Sequence, residues 1–297
     1  MKQDKKMIVL FMAPAVLAFC LMFLYPVIRT VIMSLFEVRN VTDAVSTWQF
    51  IGFENFMNVL KNATFRQSML NIFRIWLVGG IVTMSISLLF AVLLTNGIKG
   101  KSAFRAIIYL PNVVSAVALA TMWTQYVFQS KYGLFNNIIR AFGGRAINWL
   151  GPDMKFWSML IAFIFGSVGY YMLIFLSGIE RIPTDIYEAA TIDGAGKGSK
   201  FRYITLPLLR GVFKTNLTFW TINTITFFVW SKMFSPVDSE LSTVSPVVHM
   251  MNLVFGGKAT TGTFAGRGAA VGVLLAICVM LTFGIFNLCI KDDDIEL

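Results

Sequence analysis

The stretch "EAATIDGAGKGSKFRYITLPLL", Glu188–Leu209, decides how the chain is read, because its glycine-lysine core admits two opposite interpretations. A loop that cradles nucleotide phosphates needs Gly, four residues, then Gly-Lys and a hydroxyl residue, so that successive backbone N–H groups wrap the phosphates and the hydroxyl reaches magnesium. The Gly-Lys pair here is Gly196-Lys197; the earlier glycine position holds Thr191 and the hydroxyl position holds Gly198. Two fixed positions fail, and no apolar strand leads in. The role of the stretch must therefore come from its surroundings.

The chain has 297 residues, of which 57% are hydrophobic and 13% charged, with mean hydropathy +0.71. A soluble domain of this length would aggregate with that composition, so the chain reads as a membrane protein. Cys20, Cys278 and Cys289 all lie in apolar runs and read as small hydrophobes, not as a disulfide framework or a metal site. The lone His249 has no partner cysteine or second histidine to complete a metal shell and reads as a satisfied or solvated loop histidine, with no role assigned. The net charge of +10 is spread between hydrophobic runs instead of gathered on one face, which fits an anionic membrane surface and not nucleic acid.

A hydrocarbon core needs roughly 20 apolar residues per helix, because only a helix or a closed barrel satisfies every backbone group there. Six segments qualify, at about 7–24, 75–94, 106–128, 156–176, 213–233 and 268–290, and the apolar core of each is free of charge. This predicts an all-α polytopic protein forming a single transmembrane domain over 1–297. Within the third segment, Pro111 and Asn112 mark an expected kink. In the fifth, Lys214 and Lys232 flank the apolar core and their stems can snorkel. Lys2, Lys5 and Lys6, then Lys99, Lys101 and Arg105, then Arg181, Lys197, Lys200, Arg202, Arg210 and Lys214 crowd alternate connections, so these are assigned to the cytoplasm with both termini. The acidic tail "KDDDIEL" counts little in that rule. The start, "MKQDKKMIVLFMAPAVLAFC", mimics a processed leader, but Phe19 occupies the position where a small residue is needed, so an uncleaved first span is expected.

The fourth connection, about 179–211, has local order of its own. Pro183 can open a helix, Asp185 and Glu188 have the spacing of a capping box, and Ile186, Ala189, Ala190 and Ile192 form an apolar face. Gly194 is a natural left-handed stop after Asp193. A second short helix is expected from Ser199, with a break at Pro207. The small Ala189 and Ala190 beside Glu188 would let another protein approach the backbone closely; alternatively, Glu188 caps its own helix and the alanines pack on this chain. Spacing leaves both readings open.

Glu188-Ala189-Ala190, three residues, Gly194, nine residues, Ile204, one residue and Leu206-Pro207 resembles the signature loop of binding-protein-dependent ABC importer permeases. With Asp193-Gly194-Ala195 and Phe201 the string is similar to the carbohydrate-uptake branch, of maltose and glycerol-phosphate type. Further similar stretches are "FLYPVIRTVIMSLF" at Phe23–Phe36, "FIGFENF" at Phe50–Phe56, "GKSAFRAIIYLP" at Gly100–Pro111 and "GYYMLIFLSGIERIP" at Gly169–Pro183. The resemblance implies that the loop is a coupling helix docking on a separate ATPase through Glu188, Ala189, Ala190, Asp193 and Gly194. It further implies a second permease subunit, two ATPase subunits that bind ATP and magnesium, and an extracytoplasmic solute-binding protein. This chain itself would carry no cofactor and no catalytic residue.

A solute path through a membrane needs polar and aromatic groups on a helix face. Trp220, Asn223, Thr224 and Phe227 recur at helical spacing in the fifth segment, offering flat rings and amide and hydroxyl groups suited to a sugar, and Ser167 and Tyr170 repeat that character in the fourth. The competing reading is helix packing, for which the same residues serve. An ion-coupled secondary transporter is the alternative from another class, but the six segments contain no Asp or Glu.

Overall fold

The computed structural model describes residues 5–95, 97–237, 240–257 and 262–290; Lys2 and the tail after Ile290, used above for orientation, lie outside the described residues. The chain is mostly helical. In order, α1 is Val9–Ser34, followed by an antiparallel hairpin of β1 (Phe36–Glu37) and β2 (Gln49–Phe50), then α2 (Glu54–Lys61) and α3 (Ala63–Thr95). Next come α4 (Lys101–Val113), α5 (Ala116–Val127), α6 (Leu134–Ala141), α7 (Lys155–Glu180) and α8 (Thr184–Ile192). The last four are α9 (Arg210–Ile225), α10 (Val229–Phe234), α11 (Pro246–Phe255) and α12 (Ala265–Cys289). Among the described residues, α1, α3, α7 and α12 are each long and apolar enough to cross a membrane, and α4 with α5 meets the same test as a pair bent by 97°.

The helices depart from the apolar segments for physical reasons. Helix α1 continues beyond Leu24 through Pro26, because a widened π-turn at Cys20–Leu24 has already interrupted the regular ladder and Pro26 falls in the first turn after it. The segment at 106–128 is two helices, and the break lies beyond the expected Pro111-Asn112: Val114 is extended, and the Ser115 hydroxyl accepts the Ala118 N–H to start a new helix. The segment at 213–233 is also broken. The Thr226 hydroxyl bonds back to the Ile222 and Asn223 carbonyls, and the Phe227 N–H turns to Thr224, so α9 stops and α10 restarts at Val229. His249 is not in a loop: it sits on α11, almost fully buried, 6.1 Å from Phe65 between ring centroids.

Within the single domain expected from the sequence, residue contacts group into two compact units, Met1–Arg66 with His249–Ile277 and Gln67–Val248 with Cys278–Leu297. In the first, the hairpin pairs Phe36 with Phe50, and Gly266 of α12 comes so close to the Phe36 carbonyl that a side chain there would collide with it. Buried Asn55 donates to the Ser34 and Phe36 carbonyls at 3.0 and 2.8 Å, satisfying the acceptors left where α1 ends.

In the second unit, α7 is the central helix, with α3 and α4 packed along it. The N–H edge of the Trp220 ring is seated against Gly79 and Gly80, where a β-carbon at Gly80 would sit 2.7 Å from the indole nitrogen. Its N–H donates to the Trp76 carbonyl at 2.9 Å, and the Trp76 N–H donates to Thr221 at 2.9 Å. Gly169 of α7 lies against the backbone of α4 at Ile108 and Tyr109. Gly169→Ala should therefore lower stability by about 1–3 kcal/mol, because backbone cannot move aside as a side-chain tip can; thermal unfolding of the detergent-purified protein against wild type checks this.

Candidate functional site: the exposed helix Thr184–Ile192 and the α7–α9 cleft

Helix α8 is built as a projection. Pro183 precedes it in an extended conformation, and no side chain caps its start. The capping box expected of Asp185 and Glu188 is absent, because the helix begins at Thr184 and both acids already lie inside it; Asp185 acts through the first-turn dipole instead. At the other end Gly194 takes φ +78°, and the N–H groups of Asp193, Gly194 and Ala195 return to the carbonyls of Ala189, Thr191 and Ala190 at 3.0, 3.0 and 2.8 Å. The chain then makes a short turn of helix at Lys197–Lys200, a π-turn at Phe201–Thr205 and another short piece at Leu206–Leu208. Pro207 does not break the path. It occupies the first turn of that last piece, and the interruption is at Leu209.

None of the residues of α8 is buried. Glu188, Ala189, Asp193 and Gly194 are exposed, Ala190 is half-covered, and Ile192 is 88% exposed. Of the apolar face of Ile186, Ala189, Ala190 and Ile192, only Ala190 is partly covered among the described residues, and the rest faces outward. The opposite side is braced. The Tyr187 and Thr205 hydroxyls are 2.9 Å apart, Lys200 donates to the Thr191 hydroxyl at 2.5 Å, and that hydroxyl donates to the Tyr187 carbonyl at 2.7 Å. Sequence reasoning missed this role of Tyr187 and Thr205, since polar groups eighteen residues apart give no periodic signal.

The predicted solute face divides. Trp220, Thr224 and Phe227 are closed inside the second unit: Trp220 against Phe163 and Tyr171 at centroid distances of 5.3 and 5.6 Å, Phe227 edge-on to Phe163 at 4.9 Å, and the Thr224 hydroxyl on the Trp220 carbonyl. Helical spacing puts these residues on one face but does not say which neighbour covers it. Asn223, Ser167 and Tyr170 are instead brought together in an open cleft of about 370 Å³ between α7 and α9, together with Asn112, Tyr171 and Phe219. Two amides, hydroxyls and aromatic rings, here packed edge to face, are the groups that bind a sugar's hydroxyls and its C–H faces. Among the described residues no group of three His, Cys, Asp or Glu side chains could hold a metal ion.

Asn223→Ala should weaken solute transport and leave the folded protein in place, whereas Trp220→Ala should cost about 3–5 kcal/mol of stability; membrane levels and unfolding temperature measured beside uptake separate the two effects.

Comparison with known proteins defines the class. Residues 84–290 match the family of binding-protein-dependent transport system inner membrane components. The chain belongs to this family, and is thus a membrane transport component and not an enzyme. It is 32% identical over 227 residues, 76% of each chain, to the trehalose/maltose transport system permease protein MalF of Thermococcus litoralis. It is 30% identical over 280 residues, covering 92% of this chain and 84% of the relative, to the arabinooligosaccharides transport system permease protein AraP of Bacillus subtilis. These relatives set it in the carbohydrate-uptake branch of ABC importer permeases. A crystal structure of a bacterial ABC transporter involved in the import of the acidic polysaccharide alginate has a chain that superposes with TM-score 0.80 at 18% identity, covering 97% of this chain and 96% of that one. At that identity the likeness is one of fold.

Proposed function

We propose that this chain forms the translocation path for a sugar or oligosaccharide and that α8 is the coupling helix, which docks on an ATPase subunit and transmits its closing motion. The observation that carries the reading is α8 itself: a helix braced on one side by Tyr187 and Thr205 while its Glu188-Ala189 face stays uncovered. A projection held rigid but left bare suits docking, because a flexible segment would lose entropy on binding and transmit little motion. Glu188 offers a carboxylate to a basic or hydroxyl group of the partner, Ala189 and Ala190 allow close approach, and Asp193 and Gly194 close the helix end that enters the partner.

The working complex would contain a second permease subunit, two ATPase subunits that bind ATP and magnesium, and an extracytoplasmic solute-binding protein. This chain would hold no cofactor. Six crossings follow if the bent α4–α5 pair and the broken α9–α10 pair each count as one, which sets both termini and α8 on the cytoplasmic side. Ser167, Tyr170 and Asn223 would contact the passing solute; Trp220, Thr224 and Phe227 would hold the wall behind them. The sugar-transport relatives support a carbohydrate as cargo.

In the complex reconstituted in vesicles, Glu188→Lys should reduce solute uptake and ATPase co-purification together, since an unmatched charge at a docked site costs about 2–5 kcal/mol. Gly194→Val should act in the same direction, by forcing a branched side chain into the left-handed region at a cost of about 1–2 kcal/mol. Normal uptake with normal partner binding in both variants overturns the docking role.

A further inference from the structure

The second unit contains a larger cleft that the transport reading does not use. It lies at the base of α8, has a volume of about 630 Å³, and is walled by the end of α3, the start of α4, the end of α7 and the segment that returns to α9. That size falls in the roughly 300–1,000 Å³ range of small-ligand sites. Its lining divides by chemistry. Lys101, Lys197 and Lys200 supply cations, and Thr184, Tyr187 and Thr205 supply hydroxyls. Val92, Ile179, Ile182 and Phe201 form the apolar part. The one carboxylate in the lining, Glu180, is already paired with Arg105 at 2.9 Å, so the lysine charges are not cancelled from within. Among the described residues none of the three lysines has an ion-pair partner.

We propose that this cleft binds the headgroup of an anionic phospholipid, with the phosphate held by Lys101, Lys197 and Lys200 and the upper acyl chain laid on Val92, Ile179 and Ile182. The inference rests on the reading of α8 as the cytoplasmic coupling element, which sets the cleft at the level of the inner leaflet. A small soluble anion would satisfy the lysines but leave the apolar wall bare, whereas a lipid satisfies both. Because the lining comes from the ends of α3, α4 and α7, from α8 and from the segment that follows it, a bound lipid would tie α8 to the neighbouring long helices.

The test uses the assembled complex in phosphatidylcholine vesicles with and without phosphatidylglycerol, reading lipid retained on the complex by native mass spectrometry and uptake in parallel. Wild type should retain phosphatidylglycerol, and the double variant Lys101→Gln, Lys197→Gln, which leaves the Lys200–Thr191 brace of α8 intact, should lose most of it while still co-purifying with its ATPase subunits. Lys101→Gln alone lies outside the docking loop and should weaken retention about fivefold, as expected for one lysine near a charged surface. Arg202→Gln, an exposed charge on the same segment that does not line the cleft, should retain lipid as wild type does. Undiminished retention in the double variant overturns the proposal. So does an equal stimulation of uptake by inorganic phosphate in phosphatidylcholine alone, which would assign the cleft to a soluble anion. Loss of ATPase subunits from Lys101→Gln would assign that lysine to docking, again against the proposal. Failure of the coupling reading is seen separately, as normal partner binding and uptake in Glu188→Lys whatever the lipid result.

Discussion

The packing of the second unit depends on how a large amphipathic ring is buried where no water is at hand to satisfy it. Trp220 solves the steric part by lying on Gly79 and Gly80, and the polar part by donating to the Trp76 carbonyl. That carbonyl belongs to the π-turn Ile75–Gly79 and takes the indole as a second donor beside the Gly80 N–H. Trp76 returns the interaction through its own N–H to Thr221. Two helices far apart in sequence are thereby joined by a reciprocal pair of indole hydrogen bonds around a glycine seat. Phe163 and Tyr171 pack against the Trp220 ring so seated, and Phe227 packs edge-on to Phe163.

The same bond economy explains why the helices break where they do. In an apolar medium a helix stops only where the freed backbone groups are taken up locally. Ser115 starts α5 with its hydroxyl, and Thr226 ends α9 by bonding back to two carbonyls. Pro111, Pro26 and Pro207 look like better candidates for breaks, yet all three sit inside helical turns. Proline removes a donor, but the place where the chain turns is set by which hydroxyl can replace the missing bond. Asn223, in the last turn of α9, and Thr226, at its end, both line the cleft.

At the other end of the second unit, rigidity and exposure are combined in one short element. Tyr187, Thr191, Lys200 and Thr205 link α8 to the segment that leads into α9, so the two are tied by side-chain hydrogen bonds and not only by the turn between them. The cationic cleft behind it lies within that same linkage. A permease that must pass motion between a soluble partner and a lipid-embedded helix has reason to stiffen this joint.

By itself the amino-acid sequence determined the membrane class, the family, and the presence of long apolar helices where α7 and α12 lie, because hydropathy and a helix stop such as Gly194 are local properties of short stretches. It also determined that Glu188, Ala189 and Gly194 occur together in one loop. Only the tertiary structure decided that α8 stands uncovered, that Trp220, Thr224 and Phe227 are walled in while Asn223 is open to the cleft, and that Lys101 meets Lys197 and Lys200 across a cavity. These are questions of which surface covers which. Periodicity assigns a residue to a face of its own helix, but the neighbour that buries or bares that face comes from elsewhere in the chain.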